Sequence, residues 1–463
     1  MSLLEHPQAQ ALLAEAEVTA DAVRGCKERL TGFLQRYLPL FYRVEQRELA
    51  QVVIEGKLST LQRKTSEPIA YAADRTRKPV QNFVGAGKWD DEAVMAELRR
   101  HVAEEIGAPD GVLVVDGSGF PKKGADSCGV ARQWCGRLGK IDNCQVGVFV
   151  AYASAKGHAP LDRRLFLPEA WANNEQRRHK CHVPQEVVFQ EKWRIALDLL
   201  ERCLSVPHGW VAGDDEFGRV STFRAWLRLH QQQYVVDVPS NTLVREPVRR
   251  ADGRKPAFER AEAWAARQPA SRWKTITVRQ GAKGPLKVQG IKARVQTKDD
   301  DGCAGPVETL LVLRTLDQDK RTSYHLSNAP ATTKLWELVY VGSRRHDIEE
   351  VFQDAKGEVG LGQYEARSWV GWHHHMTLSL LALWFLTLER RRVGEKNPGH
   401  DGAPDCRGLP FPTATDAPQL RQDRPRCQPS PAPHRRGPHL PLLRRHQAVP
   451  AATCARVLVK GLQ

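Results

Sequence analysis

Two short acidic stretches have the residue types for metal-assisted chemistry. "LVVDGSG" ends an apolar, β-branched run on Asp116, followed by small residues that let other groups approach closely. "VAGDDEFG" does the same with Asp214 and Asp215. On neighbouring strands these carboxylates would supply hard oxygen ligands for a cation such as Mg²⁺, which needs only one or two from the protein when phosphates complete its shell. A third carboxylate from a helix would make a two-metal phosphoryl-transfer site. In such a site, ions about 3.5–4 Å apart activate the attacking oxygen and stabilise the leaving one.

The segment "RRHDIEEVFQDAKGEVG" (344–360) offers that third group among five acids, and helix phase separates them. At about 100° per residue, Arg345, Glu349 and Lys356 fall within an arc of roughly 40°. Ile348, Phe352 and Ala355 form an apolar stripe beside them. Glu349 is therefore expected at the edge of the buried stripe, flanked by Arg345 and Lys356 as phosphate-holding cations. Asp347, Glu350 and Asp354 are expected to face water. Taken alone, the same pattern also describes an i,i+4 surface ladder of charges.

The elements that must position these residues read as follows. Residues 1–108 show helical spacing of apolar residues among Arg, Lys and Glu, with Asp90 or Asp91 as a natural helix cap. They form an expected helical domain whose basic faces suit DNA binding, with a helical cap on the next domain as the alternative. From residue 109 the period changes: three strands, a helix, a strand, a helix and a strand run to residue 239. Residues 240–330 form a β-rich insertion with strand-like pieces "WKTITVRQG", "VQGIKARVQTK", "ETLLVLRTL" and "RTSYHLSN". Helices return over 331–398, ending in "GWHHHMTLSLLALWFLTLERRR", a mostly buried helix with His373–His375 as its polar start. The fold class is α/β: a mixed sheet with flanking helices, interrupted by the β-rich insertion and preceded by a helical domain.

Residues 399–463 hold 11 of the chain's 29 prolines, no glutamate, and ten basic against four acidic residues. That composition argues against a packed domain. A frameshifted reading of GC-rich DNA is one hypothesis for its origin: one of the many codon choices for "GHDGAPD" reads, in a shifted frame, as the more ordinary Met-Thr-Val-Pro-Gln-Ile.

Charge bears on the partners. With 69 basic and 54 acidic residues, net +15, the charge fits a polyanionic partner and, equally, a merely basic soluble protein. The polar, acidic opening "MSLLEHPQAQALLAEAE" is not a secretion signal, and the apolar run Met376–Leu388 is too short to span a bilayer. No membrane association is expected. The ten cysteines lack paired zinc-type spacing, and the expected setting is a reducing cytoplasm.

Asp116, Asp214 and Glu349, in that order and with a β-rich insertion before the glutamate, resemble the catalytic residues of DDE transposases from bacterial insertion sequences. Within that family, the chain is similar to a group with a Tyr-x₂-Arg-x₃-Glu-x₆-Lys signature, matched by Arg345, Glu349 and Lys356 but with Gly342 at the tyrosine position. "VVDGSGFPKKG" and "GDDEFG" resemble the group's aspartate blocks; Asp214, Phe217 and Gly218 fit its Asp-x-x-(Tyr/Phe)-Gly pattern, favouring Asp214 over Asp215. The resemblance covers roughly residues 30–395 and implies an RNase H-like core. It also implies two Mg²⁺ ions, with Mn²⁺ as an alternative, held by Asp116, Asp214 and Glu349. The activity it implies is cut-and-paste cleavage of transposon ends followed by strand transfer. The substrate would be double-stranded DNA, both terminal inverted repeats and target, bound by a homodimer at the bacterial nucleoid. Lys122 and Lys123 become candidate phosphate contacts and Trp273 a candidate for stacking on a flipped base; a solvated loop and a tryptophan packed within its own domain are the plain alternatives. A catalytically inactive DNA-binding descendant and an RNase H-like repair nuclease without strand transfer are the competing functions.

Overall fold

The computed structural model of the chain describes residues 24–248, 255–281, 284–316 and 321–396. The tail from residue 399, read above as unpacked or out of frame, lies outside the described residues.

Five helices open the described chain: α1 (Cys26–Tyr37), α2 (Val44–Leu58), α3 (Ser66–Ala72), α4 (Arg77–Gly85) and α5 (Asp91–Ile106). Asp90 caps α5, its side chain accepting from the backbone N–H groups of Glu92 and Ala93. Then come β1 (Val112–Pro121), β2 (Ala131–Cys135), β3 (Lys140–Ser154) and β4 (Gly157–Leu165), the short helices α6 (Glu169–Ala172) and α7 (Glu175–Lys180), and α8 (Lys192–Cys203). Next are β5 (Trp210–Gly213), α9 (Asp215–Gly218), α10 (Ser221–Leu229) and β6 (Tyr234–Val238). β2 is an extra strand that the sequence pattern did not reveal. The others keep the expected order, because Val112–Val115 and Trp210–Gly213 are buried on both faces, as central strands require.

Strands β7 (Leu243–Arg245), β8 (Glu259–Arg260), β9 (Lys274–Gly281), β10 (Gly284–Lys298), β11 (Ala304–Thr315) and β12 (Thr322–Ser327) follow, with α11 (Ala261–Ala266) between β8 and β9. The sheet order is β2-β3-β1-β5-β6-β12-β11-β10-β7-β8, with β4 also pairing β3 and β9 also pairing β10. β1, β5 and β6 run parallel, and β3 is antiparallel to β1. The β-rich stretch does not stand apart from this sheet, for β12 pairs directly with β6 and continues it. A buried charge cluster seals the join: Glu308 on β11, fully buried, accepts from Arg224 of α10 at 3.1 Å and also binds the Tyr234 hydroxyl of β6.

Three helices close the described chain: α12 (Leu335–Ser343), α13 (Arg345–Gly357) and α14 (Trp369–Lys396). α14 is buried nearly all round, with α1, α2, α4 and α5 packed around it and β4 against it. His373, His374 and His375 were expected as a polar helix start, yet all three are buried. The N-terminal helices wall in this end of α14. The backbone carbonyls of Trp369, Trp89 and Leu361 each take one ring nitrogen, of His373, His374 and His375 in turn, while His374 Nδ1 is left buried without a partner among the described residues.

α13 packs across β1, β3 and β4 through Ile348, Val351, Phe352 and Ala355. Its flank differs from the expectation. Asp347 is buried and pairs with Arg344 at 3.1 Å, and Asp354 pairs with Arg390 of α14 at 2.5 Å. Arg344 and α14 cover these two acids, while Glu350 stays partly exposed, on the side that helix phase assigned to water.

Candidate functional site

β1 runs on past Asp116 to Pro121, so this aspartate is not at a strand end as expected. What ends there is the parallel ladder, whose last pair is Val115↔Gly213. Asp116 and Asp214 therefore lie just beyond the same edge on neighbouring strands. Asp116 Oδ1 accepts from Gly117 N at 2.7 Å, and Asp214 caps α9 by accepting from Glu216 N at 3.0 Å. Gly218 gives the Asp-x-x-Phe-Gly pattern a physical reason. A Cβ there would stand 2.0 Å from the carbonyl oxygen of Asp237, so only glycine lets α9 close onto β6. Phe217 fills the core beneath it.

Arg345, at the start of α13, draws the acids together. Its Nη2 lies 3.0 Å from Glu349 Oε1, its Nε 3.1 Å from Asp237 Oδ2, and its Nη1 3.9 Å from Asp116 Oδ2. It was expected as a phosphate contact; here its guanidinium sits among the carboxylates. Asp237, in "YVVDVP" on β6, was not foreseen. It carries the same signal that singled out Asp116 and Asp214: an acid closing a short β-branched run. Its other oxygen pairs with His325 Nδ1 at 2.7 Å, and His325 Nε2 lies 2.9 Å from the Ser323 hydroxyl. An Nδ1–H tautomer satisfies both contacts, donating to Asp237 and accepting from Ser323.

The electrostatics separate the four acids. Burial pushes Asp116 up to about 6, with Glu349 and Glu216 adding to it, while Arg345 and the Gly117 N–H oppose. Burial, then repulsion from Asp116, raises Asp214 well above the ordinary carboxylate range. For Glu349 burial also works upward, but a hydrogen bond with His346 and the charge of Arg345 outweigh it and hold it low. Asp237 is likewise held low, burial being outweighed by His325 and Arg345. Arg345 gains proton affinity, its burial being overcome by Asp237, Asp116 and Glu349.

Asp116, Asp214 and Glu349 supply only oxygen donors, and the half-buried Asp116 and Asp214 repel each other. That donor set fits Mg²⁺ or Mn²⁺ and is foreign to a soft metal. Among the described residues, no group of three or more His, Cys, Asp or Glu side chains is arranged to hold a metal ion as it stands; Arg345 occupies their midst.

The remaining expected residues divide. Lys356 lies half-buried over the rings of Phe352 and Phe120, 5.4 and 5.7 Å from their centroids. Lys122 sits 3.4 Å over the Tyr364 ring, and Lys123 is exposed. Trp273 is 8% exposed, with the Arg314 guanidinium 3.7 Å over its ring, so it offers no free face to a base in this conformation. Gly342 faces the site's second layer: a Cβ there would lie 3.5 Å from Val235 and 3.8 Å from His325 Nδ1. Tyr340 binds Arg344 instead.

Comparison with known proteins fits this geometry. Residues 36–285 match the family described as DDE superfamily endonuclease, a span that holds Asp116, Asp214 and Asp237 and ends before α13. A probable transposase for insertion sequence element IS701 from Microchaete diplosiphon is 30% identical over 119 residues, 26% of this chain and 31% of that relative. Among the described residues, no helix is long and apolar enough to cross a membrane. With more than half its length matched, the chain belongs to the DDE superfamily endonucleases.

Proposed function

We propose that this protein is a DNA transposase that cleaves the ends of an insertion sequence and joins them to target DNA in the bacterial cytoplasm. The observation that carries the reading is the acid cluster around Arg345, in which Glu349 of α13 faces Asp116 of β1 across the end of the β1–β5 ladder. Three separate segments of sequence meet there.

Asp116, Asp214 and Glu349 would hold Mg²⁺, or Mn²⁺ in its place; two such ions supply Lewis acidity to the attacking and leaving oxygens of a phosphodiester. The protein's own groups do the rest. Burial of Asp116 and Asp214 at the sheet edge keeps bulk water from screening their charge. Asp237 and His325 hold Arg345 by its Nε, orienting the guanidinium towards the reacting phosphate once Glu349 and Asp116 are otherwise engaged. Lys356 and the Lys122–Lys123 loop would neutralise phosphates of the bound strand. The helices of residues 1–108 and the β-rich residues 240–330 would grip the terminal repeats and a second copy of the chain. The catalytic core would consist of residues 109–239 and 331–398.

The test is purified protein with DNA bearing the element's own ends and Mg²⁺. Nicking at the 3′ ends followed by joining is expected; Glu349→Gln and chelation should each abolish it. Cleavage that survives Glu349→Gln overturns the site. Cleavage without joining would identify a nuclease instead, and binding without cleavage an inactive descendant. Gly342, which leaves space beside His325 where the signature carries tyrosine, is the observation favouring the inactive descendant.

A further inference from the structure

The hairpin joining β2 to β3 turns through residues 136–139, with Gly139 at φ +63. Its exposed tip carries Arg137. The tip folds back over the end of α13: Arg137 Nη1 lies 3.7 Å from where a Cβ on Gly362 would stand, and Phe120 Cδ1 lies 3.9 Å from the same point. Lys356 stands above that same Phe120 ring. Two cations from distant parts of the chain thus share one rim, with Phe120 and Gly362 as its floor.

Among the described residues, neither cation is in an ion pair. The acids of the neighbouring cluster are engaged by Arg345. Burial, and then repulsion by Arg137, push Lys356 down to about 8, while Asp116 pulls the other way. Holding like charges together with no acid between them is unfavourable unless an anion completes the arrangement. An arginine fork beside a lysine point charge is the pairing that suits a phosphate. α13, which carries Lys356, packs against β1, which carries both Phe120 and Asp116, so an anion held here would lie beside the strand of the acid cluster.

We propose that Arg137 and Lys356 form a clamp for one backbone phosphate of bound DNA, placed next to Asp116, with Gly362 leaving the floor open. The clamp rests on the reading that the substrate is DNA, and it adds the β2–β3 hairpin tip to the parts that position the strand. Arg137 is a positioning residue in this account, and it accounts for β2, the strand the sequence pattern missed.

Binding separates this from catalysis. The full chain is titrated with a labelled duplex carrying the element's ends, in Ca²⁺ or chelator, over a range of salt concentrations. Arg137→Ala should weaken binding about tenfold and reduce the slope of log affinity against log salt by about one phosphate contact. Arg137→Lys should restore most of the slope. Gly362→Leu, which fills the floor without removing charge, should weaken binding to a similar degree. Because two groups on one phosphate do not act independently, Arg137→Ala with Lys356→Ala should lose less than the sum of the single effects. Wild-type affinity and slope in Arg137→Ala overturn the clamp, even if the protein proves to be an active transposase. A lowered slope in a chain that never cleaves leaves the clamp standing and rejects the transposase reading.

Discussion

Arg345 Nε lies 3.1 Å from Asp237 Oδ2, tying the first turn of α13 to the end of β6. One arginine thereby answers to two sets of acids: Asp237 on one side, Glu349 and Asp116 on the other. His325, 2.7 Å from the far oxygen of Asp237, keeps that carboxylate oriented towards the arginine. If Asp116 and Glu349 hold a metal ion as proposed, Asp237 takes part of the positive charge that competes with it for those carboxylates.

Removing the charge of Asp237 should make that competition visible. In Asp237→Asn, Arg345 turns its whole charge onto Glu349 and Asp116, so the Mg²⁺ concentration giving half-maximal end cleavage should rise roughly tenfold, the equivalent of about 1.4 kcal/mol. Saturating Mg²⁺ should recover much of the rate, which it cannot do for Asp116→Asn. A Mg²⁺ titration of end cleavage in the two variants checks this; an unchanged midpoint in Asp237→Asn rejects the role.

A different carboxylate holds the fold. Asp162 on β4 is fully buried and accepts from Arg99 of α5 and Arg202 of α8, each at 2.9 Å, and from the backbone N–H of Arg163. Asp162→Ala leaves Arg99, Arg163 and Arg202 to share the carboxylates of Glu92 and Asp91, and loss of the buried acid between them costs about 3 kcal/mol, the lower end for breaking a buried pair by removing one partner. Denaturant unfolding should show a loss of that size. The replacement should leave the Mg²⁺ midpoint of whatever folded protein remains where it was.

The sequence made the acid cluster largely legible. Asp116 and Asp214 stand out through the short apolar runs before them, although β1 runs on past Asp116, and helix phase separates Glu349 from its neighbours because the buried stripe of α13 is strongly apolar. Asp347 and Asp354 escaped because their burial depends on Arg344 and Arg390, one of them on another helix. The three histidines escaped for a related reason. What buries them is the wall of N-terminal helices, and no periodicity within α14 encodes that wall. The four strands from Lys274 to Ser327 were visible as segments, but their union with β6 was not. Strand pairing over such distances is set by register and burial in the folded molecule, not by local propensity.

Those histidines give the last prediction its sign. Burial, with Arg163 nearby, lowers His373 to about 3; burial, opposed by Asp91, lowers His374 to about 4; and burial, with Lys57 beside it, takes His375 well below its usual value. His101, hydrogen-bonded to the Tyr37 hydroxyl at 2.8 Å, is lowered by burial to about 4. Each folded-state pKa lies below the unfolded value of about 6.5, so below that pH the unfolded chain binds more protons than the folded one. Stability should therefore fall as pH drops from about 6.5 towards 4, by up to ~1.4 kcal/mol per pH unit for each such group. Asp116, raised to about 6, opposes this below that pH, and Asp214 and Asp299, both raised by burial, oppose it as well, while Asp237 and Glu349, both held low, add to the loss at the acid end. Unfolding free energies between pH 4 and 7 should show the net loss. Replacing His373 and His374 with glutamine, an uncharged side chain that keeps a polar contact, should flatten the slope. An equally steep slope in that double variant would place the acid sensitivity elsewhere in the fold.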